Sequence, residues 1–165
     1  GLCRATHYTV PGADAQSNTG TLDLTYDNLE ATQLLMEAWV DDRGDEMLVE
    51  GDMVIAGPYW RKTCEKLFGS DKEAYVGDNT KNVYKGMKFF INPLIKGKKW
   101  FLVNEDLMKG GDGLNFWMRR DPRKLERDFN LDKGDFNTEM LSWKAVGRWA
   151  IYWTNFFWVF GNNPA

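Results

Sequence analysis

At 165 residues the chain has room for one domain with a real core, and 43% apolar against 27% charged residues is a globular composition, which excludes a disordered or low-complexity polymer. With 21 basic and 24 acidic residues the net charge is −3, so no global field exists to hold nucleic acid or an anionic membrane, and any such binding has to be local. One histidine and two cysteines nearly empty the inventories of nucleophiles, bases and metal ligands, and two cysteines are too few to staple a secreted fold.

Residues 1–21 are small and polar, with Pro11, Gly12, Ser17, Asn18 and Gly20, and show no sustained period. They are expected to form an arm or linker whose order depends on a partner, ahead of a single domain over residues 22–165. The opening residues are not a charged-then-apolar stretch, so no signal peptide is expected. Cys3 and Cys64 are expected as free thiols. A lone His7 does not make a metal site without other ligands converging on it, so no cofactor and no metal are expected.

Thr25 offers an N-cap, with Asp27 and Glu30 following in the first turn where the helix dipole favours negative charge. Leu29, Thr32, Leu35, Met36, Trp39 and Val40 then share one helical face, and Glu30, Gln33 and Glu37 fall on the other. The spacing predicts a helix over residues 26–42, ended by Gly44. Asp41-Asp42-Arg43-Gly44-Asp45-Glu46 lacks the alternating oxygen ligands and distal Glu of a calcium loop and reads as a solvated turn. Residues 47–50 are expected as a short strand.

The run Met53-Val54-Ile55-Ala56-Gly57-Pro58-Tyr59-Trp60 organises the rest. Its first four residues have the branching of a buried strand, and Pro58 has the preset φ of a first helical position. Tyr59, Thr63, Leu67 and Trp60, Cys64, Phe68 recur at helical spacing, with Gly69 expected as a left-handed C-terminal cap. The turn carries no phosphate cradle, serine elbow or metal-spaced ligands, so it reads as architecture.

Residues 70–85 are polar, with Asp78-Asn79 suggesting a turn in a surface loop. Residues 87–92 and 99–104 are apolar strands expected to pair as a hairpin across Pro93-Leu94-Ile95-Lys96-Gly97-Lys98. Gly110-Gly111-Asp112-Gly113 lacks the Gly-Lys-Ser/Thr continuation of a nucleotide loop. Residues 114–120 are expected as a strand, followed by a basic cluster of Arg119, Arg120, Arg123 and Lys124 around Asp121-Pro122. Arg beside Trp117 suits stacking on a base, and it equally suits salt bridges between subunits, the preferred reading.

Residues 141–153 have the clearest two-residue period. Leu141, Trp143, Ala145, Gly147, Trp149, Ile151 and Trp153 share one side, Ser142, Lys144 and Arg148 the other, which predicts one long strand with a buried face. From Phe156 to Phe160 the chain is apolar on both sides and is expected to be covered from both directions. The apolar run over residues 149–160, about 12 residues, is short of the roughly 20 a spanning helix needs. Eight tryptophans tilt the chain toward packing against something.

The order of these parts resembles the tailed-bacteriophage major capsid protein family. The resemblance rests on Thr25-Tyr26-Asp27-Asn28-Leu29-Glu30 opening a helix closed by Asp42-Arg43-Gly44, on Met53-Val54-Ile55-Ala56-Gly57-Pro58, on Phe90-Ile91-Asn92-Pro93 and on Lys99-Trp100-Phe101-Leu102-Val103. It covers residues 22–160 and lies in the order and spacing of core patterns, not in a catalytic motif. It implies an α+β fold, a mixed or antiparallel sheet flanked by helices, forming the axial domain and part of the peripheral domain of a shell subunit. The family's N-terminal arm, protruding loop and spine helix precede the matching region, so the chain is expected to be a fragment. The lysine–asparagine cross-links of some members map onto no position here.

The function so implied is structural: a bacteriophage or prophage capsid subunit that self-associates into an icosahedral head, not an enzyme. Its partners are copies of itself, with scaffold or portal proteins and a weak contact with packaged DNA, and no membrane. Its place is the virion, and the bacterial cytoplasm during assembly. Trp117, Arg119, Arg120 and Arg123 are the candidate subunit contacts, since aromatics and Arg are enriched in interfaces. The alternative is a small ligand-binding module or enzyme with an aromatic pocket lined by Trp100, Trp143 and Trp149.

Overall fold

The computed structural model describes residues 2–7, 15–71, 81–111, 113–122, 125–127 and 143–165, with the side chains of 125–127 and 143–145 left out. The chain divides into two compact units, Gly1–Gly113 with Trp153–Ala165, and Leu114–Tyr152. The fold is α+β. Asp78, Asn79, Lys124, Leu141 and Ser142 lie outside the described residues.

In the first unit, strands β1 (Thr19–Gly20), β2 (Met53–Ala56), β3 (Lys88–Ile91), β4 (Trp100–Val103) and β9 (Val159–Asn162) form one mixed sheet in the order β1-β9-β4-β2-β3. Helices α1 (Tyr26–Glu37), α2 (Arg61–Gly69) and α3 (Glu105–Lys109) accompany it. The alternation of a strand sorts its side chains onto two faces. Val54 and Ala56, Trp100 and Leu102, and Phe160 point into the larger core, joined by Leu29 and Met36 of α1 and by Cys64, Leu67 and Phe68 of α2. Met53, Ile55, Phe101, Val103 and Val159 point to a smaller cluster with Leu2, Cys3, Trp158 and Met108 of α3.

The expected strand–turn–helix unit is present. Met53-Val54-Ile55-Ala56 is a strand with partners on both edges, Pro58 opens a short 3-10 turn over Pro58–Trp60, and α2 continues from it. Gly69 is the last residue of α2 and not a left-handed cap, because Ser70 ends the helix in extended backbone with φ −88° and ψ 140°. Both cysteines are free thiols, and burial pushes Cys64 up to about 11, so it stays protonated at neutral pH.

Further expectations need correction. The first helix starts on its cap, Thr25 accepting from the Asn28 amide, but ends at Glu37. From there the Asp41 carboxylate accepts the amides of Arg43 and Asp45, Gly44 turns with φ 89°, and a bridge joins Val40 to Glu46, so local side-chain bonds outcompete another helical turn. The helix faces also differ: Leu35 is exposed, and Gln33 is buried with its carbonyl accepting from the Gly51 amide.

Residues 47–50 are not a strand, because Leu48 takes φ 47° and breaks the extended run before Val49 turns into the core. The strands on either side of Pro93 exist but do not pair with each other. β2 runs between them, parallel to β3 and antiparallel to β4, with α2 as the crossover helix of a β2–α2–β3 unit. The connection from β3 to β4 passes over the end of β2, where a Cβ on Gly57 would lie 2.6 Å from the Ile95 carbonyl oxygen.

The long terminal strand is instead two strands in different ribbons, β7 (Trp143–Ala145) and β8 (Arg148–Trp153), with Val146 and Gly147 between them. Beyond them, Phe157 to Phe160 are buried, as their apolarity on both sides implied.

The described part of residues 1–21 lies against the sheet. His7 bridges Gln16, β1 runs parallel to β9, and Asn18 is fully buried.

Candidate subunit-contact surface

The second unit holds two ribbons, β5 (Leu114–Arg120) with β8, and β6 (Leu125–Arg127) antiparallel to β7. The sequence of β5, Leu-Asn-Phe-Trp-Met-Arg-Arg, is rich in residues that favour pleated backbone and puts Leu114, Phe116 and Met118 on one face and Trp117 between Asn115 and Arg119 on the other, so each face carries an aromatic ring. Its neighbours Phe116 and Trp117 point to opposite sides, and both are exposed, at 59% and 64%. Along β8 the same holds: Trp149 and Ile151 on one side and Tyr152 on the other are all exposed, with Trp153 at the end of the strand. The described part of the apolar face expected to be buried here is therefore open to solvent.

A cleft of about 780 Å³ is cut into this ribbon, lined by Trp117, Arg119, Gly147, Arg148, Trp149 and Ala150. Gly147 makes room for it: a Cβ there would lie 2.7 Å from the Trp149 ring and 3.2 Å from Pro122. Arg119 and Arg148 are exposed, and no carboxylate lines the cleft among the described residues. Two indoles beside two arginines, in a low and open site, suit a planar anionic group flanked by apolar surface.

Of the residues singled out from sequence, Trp117 and Arg119 meet in this cleft, Arg120 is half-buried at the end of β5, and Arg123 lies outside the described residues. Sequence reasoning missed Arg148 and Trp149 as their companions. The signal was present in β8, where Arg148 stands beside an aromatic run, but the two-residue period was assigned to a core.

The first unit has a second cavity, of about 440 Å³, lined by His7, Asp41, Asp42, Met47, Trp153, Thr154, Asn155, Phe156 and Phe157. His7 stacks on Phe156 with ring centroids 3.9 Å apart and shares its Nε2 with the Asn18 Oδ1 at 2.9 Å. Asn18 fixes that tautomer. Its Nδ2 donates to the Leu2 and Val159 carbonyls, so Oδ1 is the acceptor and His7 donates from Nε2. Trp100 is not a pocket residue; it is fully buried and its indole N–H donates to the Leu22 carbonyl. The side chain of Trp143 lies outside the described residues.

Among the described residues no three His, Cys, Asp or Glu side chains converge as a metal set, and no helix is long and apolar enough to cross a membrane. The Gly110 amide donates to the Asp106 and Leu107 carbonyls, so this glycine turn closes α3. The chain matches no protein-family model and no curated protein.

Proposed function

We propose that the chain is a structural subunit of a tailed-bacteriophage or prophage capsid and acts by self-association into an icosahedral head. The observation that carries this reading is the β5–β8 ribbon, with exposed aromatic side chains on both sides, in a chain whose main sheet is already closed by its own core. Isolated two-stranded ribbons are marginal in water, and aromatic patches of this kind mark interfaces. The order of the core motifs, which resembles the capsid family, supports the same conclusion. The partners are further copies of the chain, with scaffold or portal proteins and a weak contact with packaged DNA, in the virion and in the bacterial cytoplasm during assembly. In this reading the chain is not an enzyme.

One observation favours a second reading. The cavity at His7 has aromatic walls and two carboxylates on its rim, the chemistry of a site for a small organic cation. Electron microscopy of the concentrated gene product separates the two. The shell reading predicts capsomers or shells. Dispersed monomers whose melting temperature rises saturably with an organic amine such as tryptamine would favour the ligand module and contradict the shell.

A further inference from the structure

The cleft on the β5–β8 ribbon is basic and aromatic, and its complement is present elsewhere in the same chain. Between Val40 and Glu46 the loop carries Asp41, Asp42, Asp45 and Glu46 against the single Arg43. It is held rigid from within. The Asp41 carboxylate accepts the Arg43 amide at 2.7 Å and the Asp45 amide at 3.0 Å, the Asp41 amide donates to the Asp45 carbonyl at 2.9 Å, and the Met47 amide donates to the Trp39 carbonyl at 2.9 Å. These amides hold the Asp41 carboxyl below the usual carboxylate range, so it remains a fixed anion. Asp42, Asp45 and Glu46 project into solvent and make no ion pair among the described residues. Arg119 and Arg148 of the cleft likewise make none among the described residues.

We propose that the acidic loop Asp41-Asp42-Arg43-Gly44-Asp45-Glu46 of one copy seats in the Trp117–Arg119–Arg148–Trp149 cleft of a second copy. The inference rests on the shell reading and names the two surfaces that meet. Three exposed carboxylates face two guanidinium groups able to bind them bidentately, and the indoles of Trp117 and Trp149 remove water from the pair. A loop already fixed by its own hydrogen bonds loses little conformational freedom on docking. Loop and cleft are different surfaces, so the contact is heterologous: each copy offers one and receives the other, and repetition links more than two copies.

The test uses two variants of the chain, a cleft variant with Arg119→Glu and Arg148→Glu and a loop variant with Asp42→Lys and Asp45→Lys, followed by sedimentation velocity at low salt. All four positions are exposed, and circular dichroism verifies that the variants fold. Each variant alone is expected to associate at least about tenfold more weakly than the wild type. Mixed in equal amounts, they are expected to recover association, because the intact acidic loop of one meets the intact basic cleft of the other and the lysine loop meets the glutamate cleft. A chain carrying all four substitutions recovers association, since the charges are exchanged and not removed.

Variants that associate like the wild type, or a mixture that remains monomeric, overturn the loop–cleft contact while leaving the shell reading standing. So does a cleft variant that associates normally but loses affinity for a fluorescent oligothymidine strand, which would make the cleft a nucleic-acid site. A wild type that stays monomeric at every concentration overturns both the contact and the shell.

Discussion

Asn18 ties the start of the chain to its end. Its Oδ1 accepts the Arg4 amide at 2.8 Å and the His7 Nε2 at 2.9 Å, and its Nδ2 donates to the carbonyls of Leu2 and Val159, both at 3.1 Å. No surface remains for water to replace these bonds, because the residue is fully buried. Asn18→Ala leaves donors and acceptors stranded, and we expect a loss of about 2–4 kcal/mol in urea unfolding. A loss under about 0.5 kcal/mol would mean that the polar opening segment is not part of the folded unit.

Composition gave no hint of this role, since an Asn among Ser, Thr and Gly looks like a linker, and its partners lie up to 141 positions away. The tryptophans were half legible. Trp39, Trp60, Trp100 and Trp158 are core residues, each donating its indole N–H to a backbone carbonyl, while Trp117, Trp149 and Trp153 are exposed. Count alone does not separate the two groups. The flanking residues do no better: Trp117 and Trp149 stand within two residues of an arginine, but so does the buried Trp60, beside Arg61, and the exposed Trp153 does not.

At the scale of elements, the β2–α2–β3 unit depends on the turn at Gly57. Its φ of −75° is open to any residue, so the need for glycine comes from space alone. A Cβ would meet the Ile95 carbonyl at 2.6 Å and the Gly97 carbonyl at 3.3 Å, backbone atoms of the connection crossing above. Gly57→Ala is therefore expected to cost about 1–3 kcal/mol. Gly69→Ala is the control: it ends α2 with nothing within 4 Å of a Cβ, and is expected to be neutral or to stabilise by up to about 1 kcal/mol. Equal effects from the two in thermal unfolding would contradict this account of the crossing.

Strands were easier to find than their pairings. Residues 53–56, 88–91, 100–103 and 114–120 all stand out by branching and aromatic content, but β3 and β4 looked like a hairpin because they are neighbours in sequence. Register depends on which strand can be flanked on both edges, and β2, apolar throughout, is that strand. The last strand failed for the opposite reason. Its two-residue period is real in β8, but periodicity reports that two faces differ, not which of them is covered.

For the whole molecule, the arithmetic of the ribbon decides what kind of association to expect. Phe116, Trp117, Met118, Trp149, Ile151, Tyr152 and Trp153 each keep about half of their surface in water. Covering what remains contributes about 1 kcal/mol per side chain, several kcal/mol in all. Association costs at least about 4 kcal/mol in lost freedom, so only about 3 kcal/mol remains and a single contact is weak, with a dissociation constant of about a millimolar or above. Contacts of that strength suit a shell, in which each copy makes several at once and stability comes from closure.

Hydrogen exchange measured by mass spectrometry across a concentration series, from about 1 µM to about 5 mM, spans the onset of association at that strength and tests the claim directly. Exchange at the amides of Leu114–Arg120 and Arg148–Trp153 should slow as the chain is concentrated, while that of Arg61–Gly69 stays constant. Exchange in the ribbon that is the same at every concentration, in a chain that sediments as a monomer throughout, would contradict it.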